Sequence, residues 1–198
     1  NEGWNAYHAQ AAMEGGVLYP VPPSFMYNNY PPLSYYVVGA LGKAWGDYIA
    51  AGRVISILSY VFVCWGMARA IQSMGGGVVQ ALFGATIFST VLAMDYDYLG
   101  MDDPQLLGHG LAVVGLIALF RMPRSIGTLA LAAFFYSLGF FTKHSLIILP
   151  LASFLWLAVY DRRAAVIFAL SGAVFLGAGL ICFQLWFGQS LWSHINSP

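Results

Sequence analysis

The stretch MDYDYLGMDDPQLLGH, Met94–His109, sets Asp95, Asp97, Asp102 and Asp103 within nine residues of a chain that is otherwise almost uncharged. Apolar runs flank it, Val78 to Met94 on one side and Leu106 to Phe120 on the other. Over 198 residues the chain is 60% hydrophobic and 8% charged, with a mean hydropathy of +0.72. A soluble domain carries about 25% charged residues, enough to cover a wetted surface. This chain cannot cover one, so the expected fold is all-α: a polytopic transmembrane helix bundle with lipid as the solvent for most of its surface. The formal net charge is zero and no basic run occurs, which leaves no electrostatic footprint for nucleic acid. Cys64 and Cys182 sit inside apolar runs and read as packing residues, with no disulfide or metal spacing.

Working outward, about six spans are expected, each near the ~20 residues a bilayer requires. They run from Ile49 to Ile71, Val78 to Met94, Leu106 to Phe120, Ile126 to Phe141, Leu146 to Tyr160 and Ala165 to Phe187. Several are short, which implies little tilt or a thin bundle. Arg69, Arg121, Arg124, Arg162 and Arg163 fall on one side of this arrangement, and seven of the eight acids fall on the other. The positive-inside rule puts the arginine loops in the cytoplasm. The acidic loops then face the periplasmic side of an inner membrane.

Residues 1–48 read as an outer loop with interfacial helices. Asn1 to Met13 has helical periodicity, with Asn1, Asn5 and His8 on one face and Trp4, Tyr7 and Ala11 on another. Pro20, Pro22, Pro23, Pro31 and Pro32 exclude a continuous helix further on, and Leu33 to Trp45 forms a second short helix ending near Gly46. Residues 49–187 form the bundle and carry the acidic outer loop, 94–105. Residues 188–198 begin a further outer segment. The chain opens at Asn1 inside a polar motif and ends just past an apolar run. We therefore expect a piece of a longer protein, with a span before it and more sequence after Pro198.

In the acidic loop, Pro104 suits the first position of a helix, which makes Asp103 its N-cap. Gln105 and His109 lie on one face of that helix, and Asp102 just before it is expected to point the same way. At 1.5 Å per residue, His109 sits about 6–8 Å below the helix mouth. Asp95 and Asp97 alternate with Tyr96 and Tyr98 and suit a solvated interface. Glu2 is a second carboxylate at a helix start, where the dipole favours its ionised form, with Asn1, Asn5 and His8 beside it. Arg53 and Lys143 are cations on the side away from the arginine loops, where they could bind a lipid-linked phosphate or simply snorkel to headgroups.

These residues fall in an order that resembles the GT-C class of membrane glycosyltransferases, in particular the protein O-mannosyltransferases and the lipid A aminoarabinose transferases. Asn1-Glu2 with Tyr7 is similar to the first-loop Asp-Glu motif. Tyr30-Pro31-Pro32-Leu33 with Tyr35 is similar to the Pro-Pro-Leu segment. Asp102-Asp103 is similar to the second-loop acidic motif, and Phe141-Thr142-Lys143 with Pro150 to the Thr-Lys segment. The four matches span most of the chain. Two positions depart from the pattern. Asn1 replaces the usual Asp and cannot act as a base, which shifts that role to Glu2 or the second loop. Tyr30 stands where the aminoarabinose branch has Lys, which leaves donor phosphate to Arg53 and Lys143 or to residues outside residues 1–198.

The resemblance implies an inverting transfer of a sugar from a polyprenyl-phosphate-linked donor to an acceptor glycan, lipid or protein on the outer face. Glu2, Asp102 and Asp103 are the catalytic candidates, and Arg53 and Lys143 the phosphate ligands. Asn1, Asn5, His8, Tyr30, Gln105 and His109 line the cavity. No metal-ligand spacing is evident, although some relatives hold a divalent cation on outer-loop acids. Two alternatives stay open: a transporter or channel segment with an acidic mouth, and an inactive partner subunit that keeps the fold.

Overall fold

In the computed structural model, residues 2–21, 27–94 and 99–195 are described; Asn1, Asp95 and Asp97 lie outside them. Among the described residues the fold is all-α, with nine helices and no strand. They are α1 (Glu2–Glu14), α2 (Leu33–Trp45), α3 (Tyr48–Ser73), α4 (Val78–Ala93), α5 (Pro104–Phe120), α6 (Ile126–Thr142), α7 (Ile148–Tyr160), α8 (Arg162–Phe187) and α9 (Gln189–Ile195). A 3₁₀ turn, His144–Ile147, leads directly into α7.

Local chemistry sets the boundaries. The Asp47 carboxylate accepts from the Ala50 N–H at 2.9 Å and starts α3. Ser125 and Thr128 form a reciprocal capping box at the start of α6, and the Asp161 carboxylate caps α8 through the Ala164 N–H. Each satisfies backbone donors that a helix start leaves orphaned. Gly46 ends α2 in the left-handed conformation, φ 79°, where a side chain would be strained.

The long helices pack in a row, α4 on α3, α3 on α5, α5 on α6, α6 on α8 and α8 on α7. Helices α1 and α2 pack on each other and on α3, near its start. The main core lies where α5, α6, α7 and α8 meet, around Leu119, Ala132, Tyr136, Leu157 and Phe168. The α5–α6 crossing is close because both helices present glycine. A Cβ added at Gly139 would stand 3.2 Å from the Gly108 carbonyl oxygen. Small residues at such a crossing let two backbones approach and gain dispersion contacts.

Six apolar segments occur where the spans were expected, but with unequal lengths. Two helices, α3 and α8, have 26 residues and the length and composition to cross a membrane. The other four are shorter: α4 has 16 residues, α5 and α6 have 17 each, and the 3₁₀ turn with α7 runs from His144 to Tyr160. Each segment falls within about three residues of its expected bounds, and the short ones are those expected to be short. Only α3 and α8 have the length of a bilayer span by themselves.

A short helix, α9, was not anticipated. Leu191 packs with Ala11, Leu18, Tyr19 and Tyr35 in a second core. His194 is buried, accepts the Asn28 backbone N–H on Nδ1 at 3.1 Å, and lies 2.8 Å from the Pro20 carbonyl through Nε2. That geometry fits a neutral ring protonated on Nε2. Asn28 in turn accepts from the Tyr35 hydroxyl at 2.8 Å and the Tyr30 N–H at 3.2 Å.

Replacing Gly139 by Val would force the α5–α6 crossing apart. The expected loss is about 1–3 kcal/mol, the usual cost of overpacking, read as a lowered thermal unfolding midpoint of the purified chain.

Candidate functional site

The start of α1 and the first turns of α3 approach each other beside the loop that precedes α5. Glu2 and Arg53 form a two-pronged ion pair, Arg53 Nε to Oε1 at 2.9 Å and Nη2 to Oε2 at 2.7 Å. Glu2 Oε1 also accepts the Asp102 backbone N–H at 3.0 Å. Asn5, one turn along α1, donates its amide to the Asp102 carbonyl. Ser56 of α3 donates to the Met101 carbonyl at 2.6 Å. The acidic loop is thus held by its main chain, with side chains of α1 and α3 supplying the partners. Hydrogen bonds from Arg53, aided by the Asp102 N–H and the Arg53 charge and opposed by burial, hold the Glu2 carboxyl down at about 2. A carboxylate so engaged is a poor proton acceptor.

Asp102 and Asp103 diverge. Asp103 has extended backbone, φ −134° and ψ 137°, so adjacent side chains leave on opposite sides. Asp103 caps α5, accepting the Gln105 N–H at 2.8 Å on Oδ1. The same oxygen lies 3.4 Å from Lys143 Nζ. Gln105 and His109, one turn apart on α5, are joined at 2.9 Å. Lys143 Nζ also lies 5.1 Å from the centre of the Tyr30 ring, a cation–π distance. Asp103, Gln105, Leu106, His109, Lys143, Phe88 and Leu92 line one cavity of about 290 Å³. It is polar where α5 and α6 meet and apolar against α4.

Asp102 faces away from that cavity, which corrects the expectation that it shares a direction with Gln105 and His109. Its side chain is 3% exposed and lies against Gly52, where a Cβ would stand 2.1 Å from the carboxyl carbon. Asn5, Ser34, Tyr35 and Ser56 line the same small void. Asp102 Oδ2 is buried without a hydrogen-bond partner, as is Ser34 Oγ. Burial, with the charges of Glu2 and Asp103 adding to it, pushes the Asp102 carboxyl up to about 7. A buried carboxylate with no donor and two anionic neighbours takes a proton instead of a charge.

His8 is fully buried in place of lining an outer cavity. Its ring packs against Trp4, Tyr7 and Tyr35, with centroids 5.0–5.3 Å away, and neither nitrogen finds a partner. Burial lowers it to about 4, so the ring is neutral at physiological pH.

The candidates therefore form two groups on opposite sides of one loop. Glu2, Asn5, Arg53 and Asp102 make one, with Asp102 in the interior. Asp103, Gln105, His109 and Lys143 make the other, lining the cavity, with the Tyr30 ring against Lys143 in place of the expected lining position. Arg53 and Lys143 do not share a ligand position. Residues missed from the sequence are Gly52 and Ser56, which receive the loop, Asn28 and His194, which hold Tyr30, and Phe88 and Leu92, which wall the cavity. A Gly beside the isolated Arg53 near the start of a span was the one available signal. Among the described residues no group of three or more His, Cys, Asp or Glu could hold a metal ion. Comparison with known protein families, curated proteins and solved structures returns no match to this chain.

The Asp102 environment gives a pH dependence of definite sign. The folded-state value, about 7, lies above the ordinary 3.8, so the folded state binds the extra proton. Stability contributed by the neutral acid is intact below pH ~4 and is lost as pH rises through 7. Asp102→Asn should abolish this alkaline loss, a few kcal/mol in the wild type, when unfolding midpoints are compared between pH 5 and pH 8.5. Equal pH profiles for the two proteins would refute a buried neutral acid. Gly52→Ala should expel the Asp102 side chain and lower the midpoint at both pH values.

Proposed function

We propose that this chain is the catalytic part of a polytopic membrane glycosyltransferase of GT-C type. It takes a sugar from a polyprenyl-phosphate-linked donor and passes it to an acceptor hydroxyl on the periplasmic face of the inner membrane. One observation carries the reading. Four segments far apart in sequence, those of Glu2, Tyr30, Asp102-Asp103 and Lys143, meet at the loop ahead of α5, Glu2 on its main chain and Lys143, backed by the Tyr30 ring, on Asp103 beside the cavity. They are the segments whose order resembles the family.

The membrane reading is supported by what the long helices leave uncovered. A 26-residue apolar helix in a soluble core would be mostly buried. Helix α8 has almost no fully buried residue in its most apolar stretch, and Leu170, Val174, Ile181 and Leu185 are all exposed. Helix α4 likewise exposes Val79, Leu82, Phe83 and Val91. Lipid is the solvent such surfaces fit. The shorter helices suit a locally thinned bilayer, with the cavity at its outer margin.

The geometry shifts the roles among the candidates. Asp103 is the best base, because it faces the cavity and its one cationic partner, Lys143, is what a donor phosphate would claim. With phosphate on Lys143, the Asp103 carboxylate is released to take the proton of an acceptor hydroxyl. That oxygen attacks the anomeric carbon from the face opposite the phosphate. The bond from the anomeric carbon to the phosphate oxygen breaks, and the electron pair leaves with the phosphate, whose growing charge Lys143 meets. His109 and Gln105 offer hydrogen bonds to sugar hydroxyls. Glu2, Arg53 and Asp102 hold the loop and so act as positioning residues. The bilayer keeps the isoprenoid tail in lipid while the head reaches the cavity.

A second reading, an inactive partner subunit, is favoured by the Glu2–Arg53 pair, which occupies both charges nearest the family's first-loop motif. Transfer assays separate the two. Asp103→Asn keeps a capping side chain but removes the base, and should lower transfer from polyprenyl-phosphate-linked hexoses and pentoses at least 100-fold. Lys143→Gln should weaken binding of polyprenyl phosphate at least tenfold, while Asp102→Asn should remain active. Unchanged turnover in Asp103→Asn would sink the assignment, and no turnover of any such donor by wild type would favour the partner subunit.

A further inference from the structure

A second polar cavity, of about 310 Å³, lies between the start of α6 and the start of α8, lined in part by Arg124, Ser125, Leu129, Asp161, Arg163 and Ile167. In the membrane reading it is on the inner face, a bundle length away from the acidic loop. Arg124 is no loose surface cation. Its side chain is only 18% exposed, Nε donates to the Leu119 carbonyl at 3.4 Å, and the guanidinium sits 4.9 Å above the Trp156 ring. Nη1 stands 3.8 Å from Asp161 Oδ2, too far for a hydrogen bond. The other Asp161 oxygen is engaged in capping α8 through the Ala164 N–H at 3.0 Å. Asp161 is the one acid in the lining, against two arginines, so the cavity carries one cation in excess.

The surroundings are those of a membrane margin. Ile126 and Val166, on the helices that bound the cavity, are exposed, and so is Tyr160 just before it. A guanidinium fixed by a ring, a carbonyl and a distant carboxylate has little mobility left to lose and keeps N–H groups for a further acceptor. Snorkelling alone would extend both arginines into water, whereas Arg124 is held in.

We propose that this cavity binds the phosphate of an anionic glycerophospholipid of the inner leaflet. Arg124 and Arg163 take the phosphodiester oxygens, and the acyl chains follow the exposed apolar faces of α6 and α8. The single excess cation matches the single charge of a phosphodiester. The apolar flanks favour a lipid over a soluble phosphate, since a soluble ion would leave them unused. Basic pockets between helices on the cytoplasmic side bind anionic headgroups by this chemistry. The proposal rests on the membrane reading and is independent of the transferase chemistry.

Native mass spectrometry of the detergent-solubilised chain, titrated with phosphatidylglycerol, tests it. Wild type should retain one phosphatidylglycerol at least tenfold more tightly than Arg163→Gln, with no such retention of phosphatidylcholine and no displacement by glycerol 3-phosphate. Arg163 is exposed, so its replacement leaves the fold intact; Arg124→Gln should lose retention further if it folds, and Arg163→Gln decides the matter if it does not. Equal retention by wild type and Arg163→Gln, or displacement by glycerol 3-phosphate, would overturn the proposal. Flotation with phosphatidylcholine liposomes distinguishes the two failures. Wild type that floats while the variants bind phosphatidylglycerol equally loses the site and keeps the membrane reading. Wild type that stays soluble without detergent loses the membrane reading itself.

Discussion

The ion pair between Glu2 and Arg53 joins three segments that the sequence keeps far apart. Glu2 begins α1, Arg53 lies in the first turns of α3, and through Glu2 Oε1 the pair reaches the Asp102 N–H. Residues 99–103, just ahead of α5, are not helical, so their position is decided by these contacts and by Ser56 and Asn5. Arg53 is 55% exposed, and an exposed pair contributes little stability by itself. Its importance lies in geometry: it fixes which way the loop turns, and so which aspartate meets the cavity and which is buried.

From that choice the rest of the site follows. With Asp102 seated on Gly52, extended backbone sends Asp103 to the other side, where it both caps α5 and pairs with Lys143. Lys143 follows the last turn of α6 and is steadied by the Tyr30 ring. Tyr30 is in turn held through Asn28 by Tyr35 and His194. The cavity therefore depends on contacts from both ends of the described chain, although only α4, α5 and the end of α6 form its walls.

Much of this was legible in the residues and some was not. The Asp-Pro pair at 103–104 announced the start of α5, and the spacing of Gln105 and His109 announced their shared face, because caps and helical periodicity are local properties. Helix α2 was legible to the residue, from Leu33 to the glycine that stops it. The direction of Asp102 was not, since it depends on a missing side chain at Gly52, fifty residues earlier. The pairing of Arg53 with Glu2 was not legible for a similar reason: an isolated cation in an apolar span gives no sign of a carboxylate fifty-one positions away. Helix α9 escaped notice because seven residues with two polar turns carry too little hydrophobic pattern.

The contact of His194 with the first outer loop has a consequence for how the chain is assembled. His194 reaches residues 166 and 174 positions before it, and the groups it satisfies, the Asn28 N–H and the Pro20 carbonyl, belong to a proline-rich stretch early in the chain. A ribosome makes that stretch well before α9. The segment carrying Tyr30 thus waits until α3 to α8 have been made before it acquires these hydrogen bonds, and the support of Lys143 is completed only when α9 emerges.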